Sequence, residues 1–233
     1  QRQTVFDKMG PDKDMQLYDR GIRRRLAPML GGDPRRLKLA YSLMYSLPGT
    51  PVLRYGDEIG MGDDLSLPER NCARTPMQWS NEPQGGFTKS DKPILPVIHE
   101  GPYGFDHVNV AIQRRDPDSM LNWTERMIRM RKEAPEIGWG TFECLDTGDD
   151  GVLAMRYDWR DNALVILHNF HDRPVEITFD VGLKDAGKNL IDIADDSDST
   201  ADDKGKHHIV IEPYGYRWYR AGGLDYLLKR SEM

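Results

Sequence analysis

A chain of 233 residues, 38% hydrophobic and 30% charged, is long enough for one large domain or two small ones and has the apolar content to bury a core. A formal net charge of −6 without long basic stripes argues against nucleic acid as a partner, and no apolar run reaches membrane-spanning length. Two cysteines, Cys72 and Cys144, are too few for a disulfide scaffold and read as free thiols of a reducing cytoplasm.

The opening Gln1–Asp7 is neither a signal peptide nor an initiator methionine and reads as an internal start. Residues 1–18 are polar and weakly patterned. Asp12 to Leu30 predicts a helix carrying the basic run Arg23-Arg-Arg25. Such a run is read as a solvated helix face with salt-bridge partners, with phosphate binding as the alternative. Asp33-Pro34 opens a clearer helix, with Asp as N-cap and Pro in the first turn. Its apolar face is Leu37, Ala40, Tyr41, Met44 and Leu47, and Pro48-Gly49 stops it. Pro51 to Tyr55 then reads as a short buried strand ending on Gly56, with Asp57 and Glu58 at its C-terminal edge. Helix, turn and strand make one α-to-β step of a β/α barrel, in which the loops at that edge converge on the site of chemistry.

Residues 60–115 hold little regular structure, and so long a loop is usually functional. Asp116-Pro117 repeats the helix-opening pair. Met120, Trp123, Met127 and Met130, widened by Leu121 and Ile128, form a stripe that reads as core packing rather than a cofactor box. Glu125 and Arg129 are spaced as an i,i+4 pair, and Pro135 and Gly138 end the helix. After Gly140 the pattern changes to short strands: 141–145, 152–157, 163–169, 175–179, 189–193, 208–211 and 216–219. Strands without intervening helices predict an antiparallel sandwich, and Leu224 to Arg230 adds a final short helix.

Several stretches in this order carry a family resemblance. They are Gly21-Ile-Arg-Arg-Arg-Leu-Ala-Pro28, Pro48-Gly-Thr-Pro-Val-Leu53, Tyr55-Gly-Asp-Glu-Ile-Gly-Met-Gly62, Arg74-Thr-Pro-Met-Gln-Trp79 and Gly85-Gly-Phe87. Together they resemble the end of the catalytic barrel of the α-amylase family of glycoside hydrolases, in its oligo-1,6-glucosidase and trehalose synthase branch. Tyr103-Gly-Phe105, Val108-Asn-Val110 and Arg115–Ser119 before Leu121-Asn-Trp123 favour the trehalose synthase side. The resemblance implies an α/β plus all-β chain. Residues 1–138 are then the last portion of a (β/α)8 barrel, and residues 139–233 an antiparallel β-sandwich C-terminal domain.

Retaining enzymes of this family set a nucleophilic carboxylate and a proton-donating carboxyl ~5 Å apart. The family pattern places the nucleophile in Gly-x-Arg-x-Asp, an acid/base Glu after the fifth strand and a further Asp in Asn-His-Asp. None of the three is found here, and a closed barrel takes ~250 residues. No catalytic residue is therefore assigned. Arg74 and Asp57 are the substrate-binding candidates. The Arg of this motif lies near the outer glucose site in family members and can give several fixed hydrogen bonds. The competing readings are a loop-ordering salt bridge for Arg74 and backbone capping for Asp57 and Glu58. Asn169-Phe-His-Asp172 only superficially resembles Asn-His-Asp and reads as a turn, and Asp192 to Gly205 lacks calcium-hand spacing and reads as a solvated loop. No cofactor or metal is expected.

The reading that follows is a C-terminal part of a trehalose synthase-like enzyme, silent alone, whose complete form interconverts maltose and trehalose by glucosyl transfer. The alternatives are a non-catalytic carbohydrate-binding or subunit-assembly module, and part of an α-glucosidase or oligo-1,6-glucosidase-type hydrolase. An unrelated activity built from His99, Asp106 and His107 ranks below these. Expected partners are maltose, trehalose or an α-glucan, a second copy or the remaining barrel portion, and a maltokinase.

Overall fold

The computed structural model describes residues 1–183 and 188–221. The expected helix at Leu224–Arg230 lies outside them. The chain divides into two compact units, residues 1–38 with 52–126 and residues 39–51 with 127–233.

In the first unit, α1 (Arg2–Met9) forms where the sequence is only weakly patterned, and it buries no residue. The helix expected over Asp12–Leu30 is broken into a 3-10 turn (Lys13–Met15), a two-residue ribbon of β1 (Gln16–Leu17) and β2 (Gly21–Ile22), and the single turn α2 (Leu26–Met29). Tyr18 and Asp19 sit at φ 52°, the left-handed region, which reverses the chain between the two short strands. Pro51–Tyr55 forms no strand; Val52 is 81% exposed. A buried parallel strand needs hydrogen-bonded neighbours, and the described residues supply none to this segment. The core of this unit gathers Ile59, Met61, Met77 and Val110, with Val108 and Leu121 against them.

Helix α3 (Pro34–Ser46) begins where Asp33 accepts the Arg35 backbone N–H at 2.9 Å, so the expected cap is present. Its buried residues are Leu37, Leu39, Tyr41 and Tyr45 with Ser42 and Ser46, whereas Leu47 is exposed. After the turn α4 (Val110–Gln113), α5 (Met120–Lys132) starts later than Asp116-Pro117. Asp116 instead closes a turn onto the Asp118 N–H at 2.9 Å, and Ser119 is the cap, accepting from Asn122 N–H at 3.3 Å. Met120, Trp123 and Met127 are buried as the stripe predicts, and Ile128 is not.

The second unit is a six-stranded antiparallel sheet faced by a two-stranded ribbon. The sheet runs β3 (Thr141–Leu145), β4 (Val152–Trp159), β5 (Asn162–Asn169), β10 (Tyr216–Ala221), β7 (Asn189–Asp192), β8 (Ser199–Thr200), and the ribbon pairs β6 (Val175–Asp180) with β9 (Lys206–Ile211). The seven expected strands are all present, and β8 is an addition. Val165 and Leu167 of β5 meet Ile177, Phe179 and Ile211 of the ribbon in one core. Strand β5 is buried at every position from Ala163 to Asn169, so its other face is covered too. That cover is the C-terminal half of α3 and the turn α6 (Glu136–Trp139). Ser42 Oγ lies 2.9 Å from Trp218 Nε1 and 3.0 Å from His168 Nε2, Tyr157 donates to the Ser46 carbonyl at 2.5 Å, and Arg220 pairs with Glu136 at 3.1 Å.

Candidate functional site

The site lies in the first unit, where the segment after Tyr55 meets the Arg74–Trp79 motif. Gly56 and Gly60, at φ 87° and 68°, bracket a 3-10 turn over Asp57–Ile59. A Cβ at Gly56 would collide with the Met61 sulfur, so the turn requires glycine there. Ile59 and Met61 anchor the turn in the core, which sends the two carboxylates different ways.

Asp57 turns inward. Its Oδ1 accepts from Arg25 Nη1 at 2.9 Å and its Oδ2 from the Arg54 N–H at 3.3 Å. Arg25 is 3% exposed. Asp57 thus ties the turn to Arg25 and to the Arg54 N–H, and it is not among the residues lining the cavity. Glu58 turns outward onto a cavity of about 740 Å³ together with Tyr55, Arg74, Trp79, Phe87 and Ile94. Neither the Glu58 carboxylate nor the Arg74 guanidinium has a partner among the described residues.

The motif's other residues explain its fixed spacing. Met77 sits in the core, and Gln78, fully buried, donates to the carbonyls of Tyr103 and Val108 at 3.0 and 2.6 Å. That clamps the strand-like motif to the Tyr103–Val110 segment. Gly62 permits the approach, since a Cβ there would stand 2.5 Å from the Tyr103 ring. Trp79 is held by its own N–H to the Gly85 carbonyl at 2.8 Å and leaves its side chain 49% exposed. The Tyr55 hydroxyl lies 3.1 Å from the carbonyls of both Arg74 and Thr75, which ties the two sides of the cavity together.

Chemically, the cavity offers open aromatic faces (Trp79, Phe87, Tyr55) and, without a partner among the described residues, the Glu58 carboxylate and the cations of Arg74 and Lys92. Aromatic faces beside a few fixed donors and acceptors suit a ligand with C–H faces and many hydroxyls. Cys72 plays no part: its thiol is buried against the Arg23 carbonyl at 2.9 Å, and burial, foremost, pushes its pKa up. His99 packs edge-on to Phe105, and among the described residues no group of three or more His, Cys, Asp or Glu is placed to hold a metal ion. Asn169 donates to the carbonyls of Arg173, Ile211 and Glu212 and accepts from the His171 N–H at 2.9 Å, so 169–172 is a hydrogen-bonded turn. The sequence analysis named Glu58 without making it a substrate-binding candidate, and it did not single out the aromatic wall. The spacing from Gly56 to Gly60 was the available signal for the turn.

The α-amylase catalytic-domain family matches residues 20–140, more than half of the chain, and the C-terminal domain of sucrose hydrolase-like proteins matches residues 162–220. The chain belongs to the α-amylase family. Within it, it is 36% identical over 206 residues to the trehalose synthase of Pimelobacter sp. (strain R48), covering 86% of this chain and 36% of that protein. It is 45% identical over 136 residues to the trehalose synthase/amylase TreS of Mycolicibacterium smegmatis, covering 58% of this chain and 23% of that one. The α-amylase from H. orenii superposes with a TM-score of 0.66 at 28% identity, over 85% of this chain and 38% of its own. The chain thus spans about a third or less of the curated relatives it matches.

Proposed function

We propose that this chain forms one wall of the sugar site of a trehalose synthase-like enzyme, binding a glucose unit of maltose or trehalose against Trp79 with Arg74 and Glu58 on its hydroxyls. The first unit is read as the last portion of the family's barrel. The observation that carries this is the cavity itself: exposed aromatic faces and an unpaired carboxylate and guanidinium on the motif that the trehalose synthase branch shares.

Glucosyl transfer between the α-1,4 bond of maltose and the α-1,1 bond of trehalose requires a nucleophile and a proton donor ~5 Å apart. Among the described residues Glu58 is the one carboxylate on the cavity wall, so they supply no such pair there. The wall's part is to orient the sugar and exclude water, which decides between transfer and hydrolysis. In this account the chain binds and positions, and the reacting carboxylates come from outside it.

The test places residues 1–233 in the matching segment of the Pimelobacter trehalose synthase and follows maltose, trehalose and glucose separately. The chimaera is expected to make trehalose, and Arg74→Ala is expected to raise KM and the glucose-to-trehalose ratio. A chimaera releasing only glucose points to the hydrolase branch. An active chimaera indifferent to Arg74, Glu58 and Trp79 substitutions overturns the site assignment.

A further inference from the structure

The segment that carries Trp79 lines a second cavity. Residues 79–87 fold back on themselves, with the Trp79 and Ser80 N–H groups on the Gly85 carbonyl at 2.8 and 3.0 Å. Trp79 and Phe87 line the sugar cavity, whereas Asn81 and Gln84 line another of about 560 Å³. The two cavities share no lining residue.

Glycines shape the second cavity. Gly85, at φ 60°, lies so close to the opposite segment that a Cβ would stand 3.0 Å from Val97 and 3.3 Å from Phe105. Val97 and Phe105, each 7% exposed, are the apolar floor. A Cβ at Gly104 would collide with the His99 carbonyl, so the 99–105 turn closes tightly, and the His99 ring sits edge-on to Phe105 with centroids 5.1 Å apart. Gln84 is held at φ 56°, left-handed backbone that residues other than glycine keep where their surroundings fix it. Asn81, Gln84, His99 and Asp106 line the cavity with this floor. Among the described residues none of these four side chains is in a hydrogen bond or ion pair.

The lining selects the ligand. Two amides, an imidazole and a carboxylate offer donors and acceptors side by side, as adjacent hydroxyls require, and the floor suits a C–H face. Among the described residues no lysine or arginine lines the cavity, so an anion meets no such counter-charge. No group of three His, Cys, Asp or Glu is placed there for a metal ion. An amine would pair with Asp106 and leave the amides idle. We propose that this cavity is a second saccharide site, taking an uncharged pyranose unit, free or within a chain. The proposal does not rest on the cavity at Trp79 being occupied, because the ligand class is read from this cavity's own lining.

The test titrates the full ¹⁵N-labelled chain separately with maltose, maltoheptaose, Tris and sodium phosphate at matched ionic strength and pH. The His99 imidazole signals report this cavity and the Trp79 indole N–H reports the first, each assigned by its loss in His99→Gln or Trp79→Phe. The expected result is a saturable His99 shift with the sugars and none with Tris or phosphate. Asp106→Asn and Asn81→Ala are each expected to weaken it about tenfold, the scale of one lost hydrogen bond, with the Trp79 response and the urea midpoint unchanged. Trp79→Ala should leave the His99 response as it was. Tighter binding of maltoheptaose assigns the site to a sugar chain and equal binding to a disaccharide, and both sustain the proposal. It is overturned by His99 signals that ignore both sugars or that follow Tris or phosphate instead. A sugar response lost in Trp79→Ala and kept in Asp106→Asn overturns it as well. A silent Trp79 beside a saturable His99 would remove the first site and leave this one standing.

Discussion

The carboxylate of Asp57 is bound to Arg25 at 2.9 Å, whereas the next residue, Glu58, faces the cavity without a partner among the described residues. Adjacent acids thus have opposite uses, and substitutions separate them. Asp57→Asn leaves Arg25, with its side chain 2% exposed, without its counter-charge. Breaking a buried pair from one side costs ~3–5 kcal/mol, and the partial exposure of Asp57 places this case toward the lower end. Urea unfolding should show the midpoint falling for Asp57→Asn.

Glu58→Gln should behave in the opposite way. Stability changes by less than ~0.5 kcal/mol, as for surface substitutions generally. Loss of a charged hydrogen bond to a sugar hydroxyl, worth ~1.5–3 kcal/mol, raises KM for maltose roughly ten- to a hundred-fold in the chimaera. Equal unfolding midpoints with unequal KM is the expected pattern.

Trp79→Ala removes a side chain that is 49% exposed and contributes little to the core. The expectation is an unchanged thermal midpoint and maltose binding weakened about tenfold, the scale of one lost aromatic contact. Calorimetric titration of the chimaera with maltose checks it.

His168 makes the second unit acid-sensitive. It is fully buried against Ser42, and burial pulls its pKa down to about 3. The folded state refuses a proton that the unfolded chain accepts near the ordinary histidine value of ~6.5, so stability falls as pH drops from there toward 3. The slope expected from this one group is ~1.4 kcal/mol per pH unit. Urea midpoints measured from pH 7 to pH 4 should decline less steeply in His168→Gln.

The same contacts bear on where the second unit can be cut. A chain beginning at residue 139 loses α3, and with it the Ser42 and Ser46 partners of Trp218, His168 and Tyr157. Residues 139–233 expressed alone should bind hydrophobic dyes and unfold without cooperativity. A cooperative, dye-negative fragment would show that α3 is dispensable.

How much of this could be read in advance differs between the halves. Strands β6 and β9 announce themselves by alternation, and β4 and β5 by apolar runs bounded by turn residues and satisfied by pairing with each other. Pro51–Tyr55 has strand composition, yet composition cannot supply a neighbouring ladder. The expected helix over 12–30 fails because Tyr18 and Asp19 adopt left-handed backbone, which nothing in their side chains requires. Asp33-Pro34 and Asp116-Pro117 look alike, but Ser119, two residues after the second pair, is the cap there. At the site, the motif drew attention to Arg74, which lines the cavity. The division of labour between Asp57 and Glu58 was not, because it depends on Arg25, thirty-two residues away in sequence.

The most direct measurement is maltose turnover by the 233-residue chain alone, alongside the chimaera, with trehalose and glucose read separately. The account predicts no turnover by the chain and trehalose formation by the chimaera that depends on Arg74 and Glu58. Turnover by the chain alone, abolished by Glu58→Gln, would contradict it and move the chemistry onto this wall.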